Sequence, residues 1–172
     1  MQTVIKIRYI FLLLTVLLTG CATTRVTSYF DPEYADEPYK KPVVWGRISP
    51  LEDRLLLENN IIDSFRSKGI NPVAGVKVFP PGEEIKREYI VPAFLKSNGD
   101  SLFIISLKPG STLHHMQYEA TLYGNKLHKV WLSSVITELQ QAGISSGQTN
   151  ALLFKSVADE IVNQLLEDGI IQ

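Results

Sequence analysis

The sequence contains a single cysteine, Cys21, among 172 residues. One cysteine cannot form a disulfide within the chain, and it excludes a metal site built from several cysteines. A basic excess is also absent, since the formal net charge is −1 at pH 7. Residues 1–20 hold two of the 17 basic side chains and none of the 18 acidic ones, so the rest carries 15 against 18, a net charge of −3. Nucleic-acid binding needs a concentrated positive face, and we predict no nucleic-acid partner.

The sequence also lacks an apolar run long enough to cross a membrane as a helix. Its N-terminal run covers residues 9–18 and follows Lys6 and Arg8, whereas a spanning helix needs about 20 apolar residues. A short positive segment followed by a run of this length is typical of a signal peptide. We therefore predict that residues 1–20 are a cleaved signal peptide.

The run ends in Leu18-Thr19-Gly20-Cys21, which resembles the lipobox of bacterial lipoprotein precursors: an aliphatic residue, two small residues and a cysteine. The resemblance implies diacylglycerol attached to Cys21 through a thioether, cleavage between Gly20 and Cys21, and acylation of the new amino group. Two or three acyl chains would anchor the protein stably, because one chain alone binds only marginally. An ordinary signal peptide, or a signal anchor that contains a cysteine by chance, is the alternative interpretation.

The residue after the cysteine is Ala22 and not aspartate. By resemblance to enterobacterial lipoproteins, this favours the periplasmic face of the outer membrane of a Gram-negative cell. The covalent lipid on Cys21 is the only non-protein group that we expect, and the predicted partners are the membrane and an envelope protein.

Residues 21–41 are predicted to form a flexible tether. Polar residues dominate this segment, Pro32 and Pro38 interrupt regular structure, and no apolar periodicity is present. Four aromatic residues could dock on the domain, rest at the membrane interface or contact a partner, and docking is favoured. They are Tyr29, Phe30, Tyr34 and Tyr39.

Residues 42–172 alternate β-prone and helix-prone segments and are predicted to form one globular domain. The predicted order is β-α-β-α-β-β-β-α, which implies an α+β or α/β class with one mixed sheet of about five strands and about three helices packed on it. The predicted strands cover residues 42–48, 70–79, 102–107, 113–123 and 127–139. The predicted helices open at Ser49, Glu83 and Thr149 or Asn150, and close at Gly69, Lys96 and Gly169.

Local signals refine this layout. Ser49 and Glu52 fit a capping box, and Pro92 is expected to kink or split the second helix. The first helix is predicted to bury a stripe formed by Leu51, Leu55, Ile62 and Phe65. Alternation along the hairpin predicts that Tyr118, Ala120 and Leu122 share one face, and that Trp131, Ser133 and Val135 share another.

The element order and the ending Glu167-Asp168-Gly169-Ile170-Ile171 resemble small periplasmic α/β domains, namely the TolB N-terminal domain and CsgG-like lipoproteins. Trp131 after the hairpin turn contributes to this resemblance. Proteins of these families are mostly binding or assembly components of envelope machines, so the resemblance implies a protein that is not an enzyme.

One catalytic pattern occurs, at Gly143-Ile144-Ser145-Ser146-Gly147, which matches the nucleophile elbow G-x-S-x-G. The fold that uses this elbow places its histidine base after the serine, whereas His114, His115 and His128 all precede Ser145. A loop that leads to a helix cap explains the same letters. We predict no catalytic residue, and a serine hydrolase that uses Ser145 is the disfavoured alternative.

The three histidines are not expected to bind a metal. His114 and His115 are adjacent in a predicted strand, so their side chains point to opposite faces. His128 lies across the hairpin and could approach one of them, with Glu119 as an added ligand, yet two histidines make a weak site. Other conspicuous residues have structural explanations: Glu52-Asp53 and Glu83-Glu84 favour helix N-termini, and Trp45 and Trp131 are predicted core aromatics.

These observations predict a lipid-anchored envelope protein that binds a protein partner in an assembly, secretion or transport complex. Strand edges and the tyrosine-rich segment are the expected contact surfaces. A small-molecule or lipid-binding module is the first alternative, and it predicts an apolar pocket between sheet and helices.

Overall fold

A computed structural model describes residues 22–34, 38–81, 86–112, 115–139 and 146–172. The strands are β1 (Ala22–Phe30), β2 (Pro42–Arg47), β3 (Val73–Ala74), β4 (Ser101–Leu107), β5 (His115–Tyr123) and β6 (Lys129–Leu139). The helices are α1 (Leu51–Ser67), α2 (Gly75–Val78), α3 (Arg87–Lys96) and α4 (Ser146–Glu167), with a 3₁₀ helix at Pro32–Tyr34. Within these ranges, no helix combines the length and apolar character needed to cross a bilayer.

All six strands form one mixed sheet in the order β1-β6-β5-β4-β2-β3. Strand β2 is parallel to both β3 and β4, while β4, β5, β6 and β1 pair antiparallel in succession. The predicted α+β class with a single mixed sheet is confirmed. The sheet has six strands instead of about five because β1 was not predicted.

The predicted tether is wrong at residues 22–30, which form β1. This strand pairs with β6 along its whole length, from Ala22 opposite Leu139 to Phe30 opposite Trp131. The inward positions of β1 include polar side chains that are satisfied across the core face. Thr24 shares hydrogen bonds with Thr137 and Ser156 at 2.9 and 2.7 Å. The apolar alternation that marks most strands is therefore missing from this one.

The aromatic residues of the segment that was predicted to be a tether lie partly in the core and partly on the surface. Tyr39 is buried and Phe30 packs against the main core cluster, which confirms docking for these two. Tyr29 lies on the other face of β1 and is 71% exposed. Tyr34 ends the 3₁₀ helix.

The main core lies between the sheet and the pair α1 and α4. The predicted grouping within each hairpin strand is confirmed, but both groups lie on the same face of the sheet. The named residues of β5 pair with those of β6, and all are buried toward these helices. Trp131 is fully buried there, as predicted. On the opposite face, a smaller cluster covers β2 and β4 and consists of Val43, Trp45, Phe79, Phe94 and Leu102. Trp45 stacks on Phe79 with ring centroids 4.3 Å apart.

Several local predictions need correction. Helix α1 begins at Leu51 with Pro50 as its N-cap, whose carbonyl accepts the first helical bond from the Arg54 N–H. Ser49 therefore lies one residue before the cap position, and Pro50 has no side-chain acceptor, so the predicted capping box is wrong. The predicted strand at residues 70–79 shortens to Val73–Ala74 and gives way to α2. Gly75, the first residue of α2, lies so close to β2 that a Cβ there would overlap the Val44 carbonyl. Glycine therefore allows the chain to turn into α2 directly against β2.

Two helices also differ from prediction, one at its start and one at an interior proline. Helix α4 begins at Ser146, before Thr149 and Asn150, and α3 continues through Pro92 without being split. The predicted stops at Gly69 and Gly169 are confirmed, with φ angles of +82° and +72°. Glu83-Glu84 lie outside the described residues.

Candidate functional site

The sheet is covered unequally. On the face opposite α1 and α4, the smaller core cluster protects β2 and β4, while the side chains of β1, β6 and β5 on this face stay exposed or half-buried except for the buried Thr121 beside β4. We call this surface the open face. It consists of Thr23, Arg25, Thr27 and Tyr29 of β1, Leu132, Ser134, Ile136 and Glu138 of β6, and His115, Gln117 and Glu119 of β5.

The strand register arranges the open face in rows. Tyr29 lies opposite Leu132, and Arg25 lies opposite Ile136. Leu132 and Ile136 are half-buried and belong to neither core cluster. Ser134 lies between Leu132 and Ile136 along β6, so the open face mixes apolar and polar side chains, as the surfaces of non-obligate interfaces do.

Two side-chain contacts involve the acidic residues of the open face. His115 Nδ1 lies 3.3 Å from Glu138 Oε1, and Lys108 Nζ lies 3.8 Å from Glu119 Oε2. Both pairs are solvent-accessible, so each contributes at most about 1 kcal/mol. A partner could replace these contacts at little cost.

Strand β1 also forms an edge of the sheet. Its nine residues pair with β6 on one side, and on the other side no strand in the described part of the chain pairs with it. A long edge presents unpaired N–H and C=O groups to other chains, and natural proteins often protect edges with proline or lysine. Strand β1 contains neither residue.

The start of β1 directly follows the predicted lipidation site. Ala22 is paired with Leu139, so no residue separates the sheet from Cys21. Gly20 and Cys21 themselves lie outside the described residues, and cleavage and lipid attachment stay predictions.

The sequence-derived catalytic and metal candidates do not form a site in the described residues. Ser145 and His114 lie outside them, and Ser146 and Gly147 belong to α4. His115 begins β5, whereas the His128 carbonyl accepts from the Gly124 N–H at the opposite end of the hairpin. His115 instead contacts Gln117 at 2.8 Å. In the described ranges, no three His, Cys, Asp or Glu side chains are grouped to hold a metal.

A buried ion pair was missed by the sequence reasoning. Arg54 and Glu58 are 8% and 1% exposed, and Glu58 Oε1 accepts from Arg54 Nε and from the Gly46 N–H, both at 2.8 Å. Arg54 also donates to the Phe79 carbonyl at 2.9 Å. The pair therefore joins α1, β2 and the segment after α2.

The predicted stripe of α1 is wrong at its first turns for the same reason. Leu51 is 44% exposed and Leu55 is half-buried, while Arg54 and Glu58 turn inward. Their i, i+4 spacing between apolar residues was the available signal.

A surface cleft of about 370 Å³ lies beside α3. It is lined by Lys77 and Val78 of α2 and by residues of α3 that include Tyr89, Pro92 and Ala93. The cleft therefore lies between α2 and α3, and none of its lining residues belongs to a strand, whereas the small-molecule alternative places a pocket between sheet and helices.

No protein-family model matches the chain, and no curated protein matches it. Among solved structures, the chain is similar to a single-residue variant of the PelC dodecamer from Paraburkholderia phytofirmans, with a TM-score of 0.51 and 13% identity over 81% of this chain and 97% of that chain. The lipoprotein GNA1162 from Neisseria meningitidis gives a TM-score of 0.45 and 14% identity, over 73% and 99% of the two chains. TolB from Acinetobacter baumannii gives 0.39 and 13% identity, over 86% and 32%. At these identities, the likeness to PelC shows that the chain shares its fold.

Proposed function

We propose that this chain is a lipid-anchored protein of the bacterial cell envelope that acts by binding another protein and not by catalysis. The open face, together with the free edge of β1, is the binding surface. The uncovered half of the sheet is the observation that carries this proposal, because burying Leu132, Ile136 and Tyr29 is favourable only in a complex.

The anchor half of the proposal rests on the lipobox and on chain order. Cys21 is followed at once by β1, so a lipid on this cysteine would hold the binding surface beside the membrane. By the sorting rule for the residue after the cysteine, that membrane is the outer membrane, with the domain on its periplasmic side.

The size of the surface indicates how a partner would bind. Three strands about 4.8 Å apart and about 30 Å long present a flat area of roughly 400 Å². A standard interface buries about 800 Å² on each partner, so the open face alone is too small. We expect the partner to contact the edge of β1 as well, by strand addition.

A second copy of the chain is the first partner to look for. PelC, which has the same fold, is described as a dodecamer. A free strand edge and an adjoining face allow copies to pair head to tail around a ring, if the rotation between copies closes.

A photo-crosslinking experiment in cells tests the proposal. A photoreactive phenylalanine analogue replaces Tyr29 in the full chain, with Tyr89 of α3 as the matched control, since the two tyrosines are 71% and 60% exposed. We expect a discrete adduct from position 29 and none from position 89. An adduct with twice the mass of the chain would identify a second copy.

A Cys21→Ala variant separates the two halves of the proposal, provided that residues 1–20 are replaced by a signal peptide that is cleaved without a lipobox. With its own signal peptide the variant would lose the cleavage motif and keep the apolar segment of residues 9–18. The cleaved variant should leave the membrane fraction and give a weaker adduct at position 29. Equal crosslinking at positions 29 and 89, or none at position 29 from abundant membrane-bound protein, would refute binding through the open face.

A further inference from the structure

One end of the sheet collects the N-termini of β1, α1 and α4. Strands β2, β4 and β6 run in the same direction, so all three finish at this end. Strand β1 is antiparallel to β6 and starts there, with Ala22 opposite Leu139. The helices that follow β2 and β6 also begin there, because Asn150 of α4 donates to Asp53 of α1 at 3.2 Å. We call this the anchor end.

The anchor end exposes leucines. Leu51 in the first turn of α1, Leu107 at the end of β4 and Leu152 in the second turn of α4 are 44%, 37% and 50% exposed. Leu107 shares its strand face with the buried Phe103 and Ile105, which turns it toward the two helices. The three leucines therefore lie on the same side of the sheet and at the same end.

The charges at the anchor end do not provide an electrostatic attraction to another surface. Arg47, at the end of β2, and Glu52, in the first turn of α1, are both exposed, so positive and negative groups occur together. Three exposed leucines instead favour contact with an apolar environment.

We propose that the anchor end lies against the bilayer, with Leu51, Leu107 and Leu152 in contact with lipid. This inference rests on the proposed lipid anchor and adds an orientation to it. A lipidated Cys21 joined directly to β1 leaves no spacer, because one residue spans at most about 3.8 Å. The sheet end that starts with Ala22 must then stay at the membrane surface, and the leucines meet the lipid there.

The strand directions also identify which elements lie at the opposite end of the sheet. It carries the β5–β6 turn with exposed Asn125, the C-terminal end of α3 with Leu95, and the C-terminal segment, where Tyr39 bridges Ile171. Since β6 has 11 residues at about 3.3 Å each, this end would stand roughly 35 Å from the membrane.

Site-specific labelling of the mature lipidated protein tests the orientation. Lipidation consumes the thiol of Cys21, so an introduced cysteine becomes the single free thiol in the chain. Leu51→Cys, Leu107→Cys and Leu152→Cys are compared with Leu95→Cys, a matched leucine that is 63% exposed, and with Asn125→Cys. Each is labelled with a polarity-sensitive dye and placed in phosphatidylethanolamine–phosphatidylglycerol vesicles with or without bromine on the acyl chains.

We expect the dye at all three anchor-end positions to shift its emission to the blue and to lose most of its intensity in brominated vesicles, also at high salt. At positions 95 and 125, we expect neither change. Equal quenching at both ends, or quenching at neither end of a vesicle-bound protein, would overturn the orientation while the anchor stands.

Mass spectrometry of the Cys21 peptide separates the two failures. An unmodified Cys21, reactive with the dye in the wild-type protein, would overturn the lipid anchor and with it the orientation. A lipidated Cys21 with equal quenching at both ends overturns the orientation alone.

Discussion

Replacing Glu58 with alanine tests whether the buried ion pair holds α1 against the sheet. The change removes the acceptor of the Arg54 guanidinium and of the Gly46 N–H, and leaves Arg54, which is 8% exposed, with the Phe79 carbonyl as its remaining acceptor in the described structure. Removing one partner of a buried pair costs about 3–5 kcal/mol. We expect the free energy of unfolding of Glu58→Ala to fall by that amount, which is a large part of the roughly 5–15 kcal/mol that stabilises a typical domain.

Chemical denaturation of the protein that begins at Ala22 measures this loss. Asp63→Ala is the matched control, because Asp63 pairs with Arg66 in the same helix at 3.4 Å while both side chains are largely exposed. This exposed pair should contribute at most about 1 kcal/mol. The double variant Arg54→Met/Glu58→Leu should regain only part of the lost stability, because it removes the unpaired Arg54 charge but still leaves the Gly46 N–H without its acceptor, which costs about 1–3 kcal/mol. If Glu58→Ala loses no more than Asp63→Ala, the pair does not stabilise α1 as we argue.

Two further predictions concern the core face and its edge. Asp168 accepts from Trp131 Nε1 at 2.6 Å and from Ser28 Oγ at 2.7 Å. Asp168→Ala should therefore lower the free energy of unfolding by roughly 1–3 kcal/mol, because the buried Trp131 N–H loses its acceptor. The control Asp159→Ala, which removes an exposed pair with Lys155, should lower it by at most about 1 kcal/mol in the same denaturation assay. Burial, with a smaller contribution from the charge of Asp53, raises the pKa of Tyr118 well above its ordinary value. The unfolded chain then releases this proton first, and stability should fall above pH about 10 by up to about 1.4 kcal/mol per pH unit. Tyr118→Phe should reduce that fall, whereas the exposed Tyr89→Phe should leave it unchanged in denaturation curves between pH 9 and 11 (about one unit on either side of the ordinary tyrosine pKa).

Much of the fold could be predicted from local signals. The hairpin faces of β5 and β6 follow from strict alternation, and the stops at Gly69 and Gly169 follow from the need for a positive φ. These features depend on neighbours within a few residues, which a single sequence displays. The same holds for Trp45 and Trp131, whose size makes burial the favoured state.

The errors occur where distant contacts decide the structure. Thr24 and Ser28 make β1 look polar, and their hydroxyls bond to Thr137, Ser156 and Asp168, which are all more than 100 residues later in the chain. Gly75 lies against the carbonyl of Val44, which is 31 residues earlier. No local pattern contains these partners, so neither the edge strand nor the open face beside it could be predicted.

The correction at β1 changes what the anchor would do. A flexible tether of about 20 residues would let the domain turn freely and sit roughly 25 Å from the membrane. A strand that starts at Ala22 would instead join a lipid on Cys21 directly to the sheet, and in the proposed orientation the strands would stand upright on the bilayer. The free edge of β1 and the open face would then point sideways, along the membrane surface, where a second anchored molecule would be found. Confinement of two such molecules to one plane with a common upright orientation reduces the rotational freedom that association must remove. An interface that is small for a soluble pair can therefore suffice for two anchored copies.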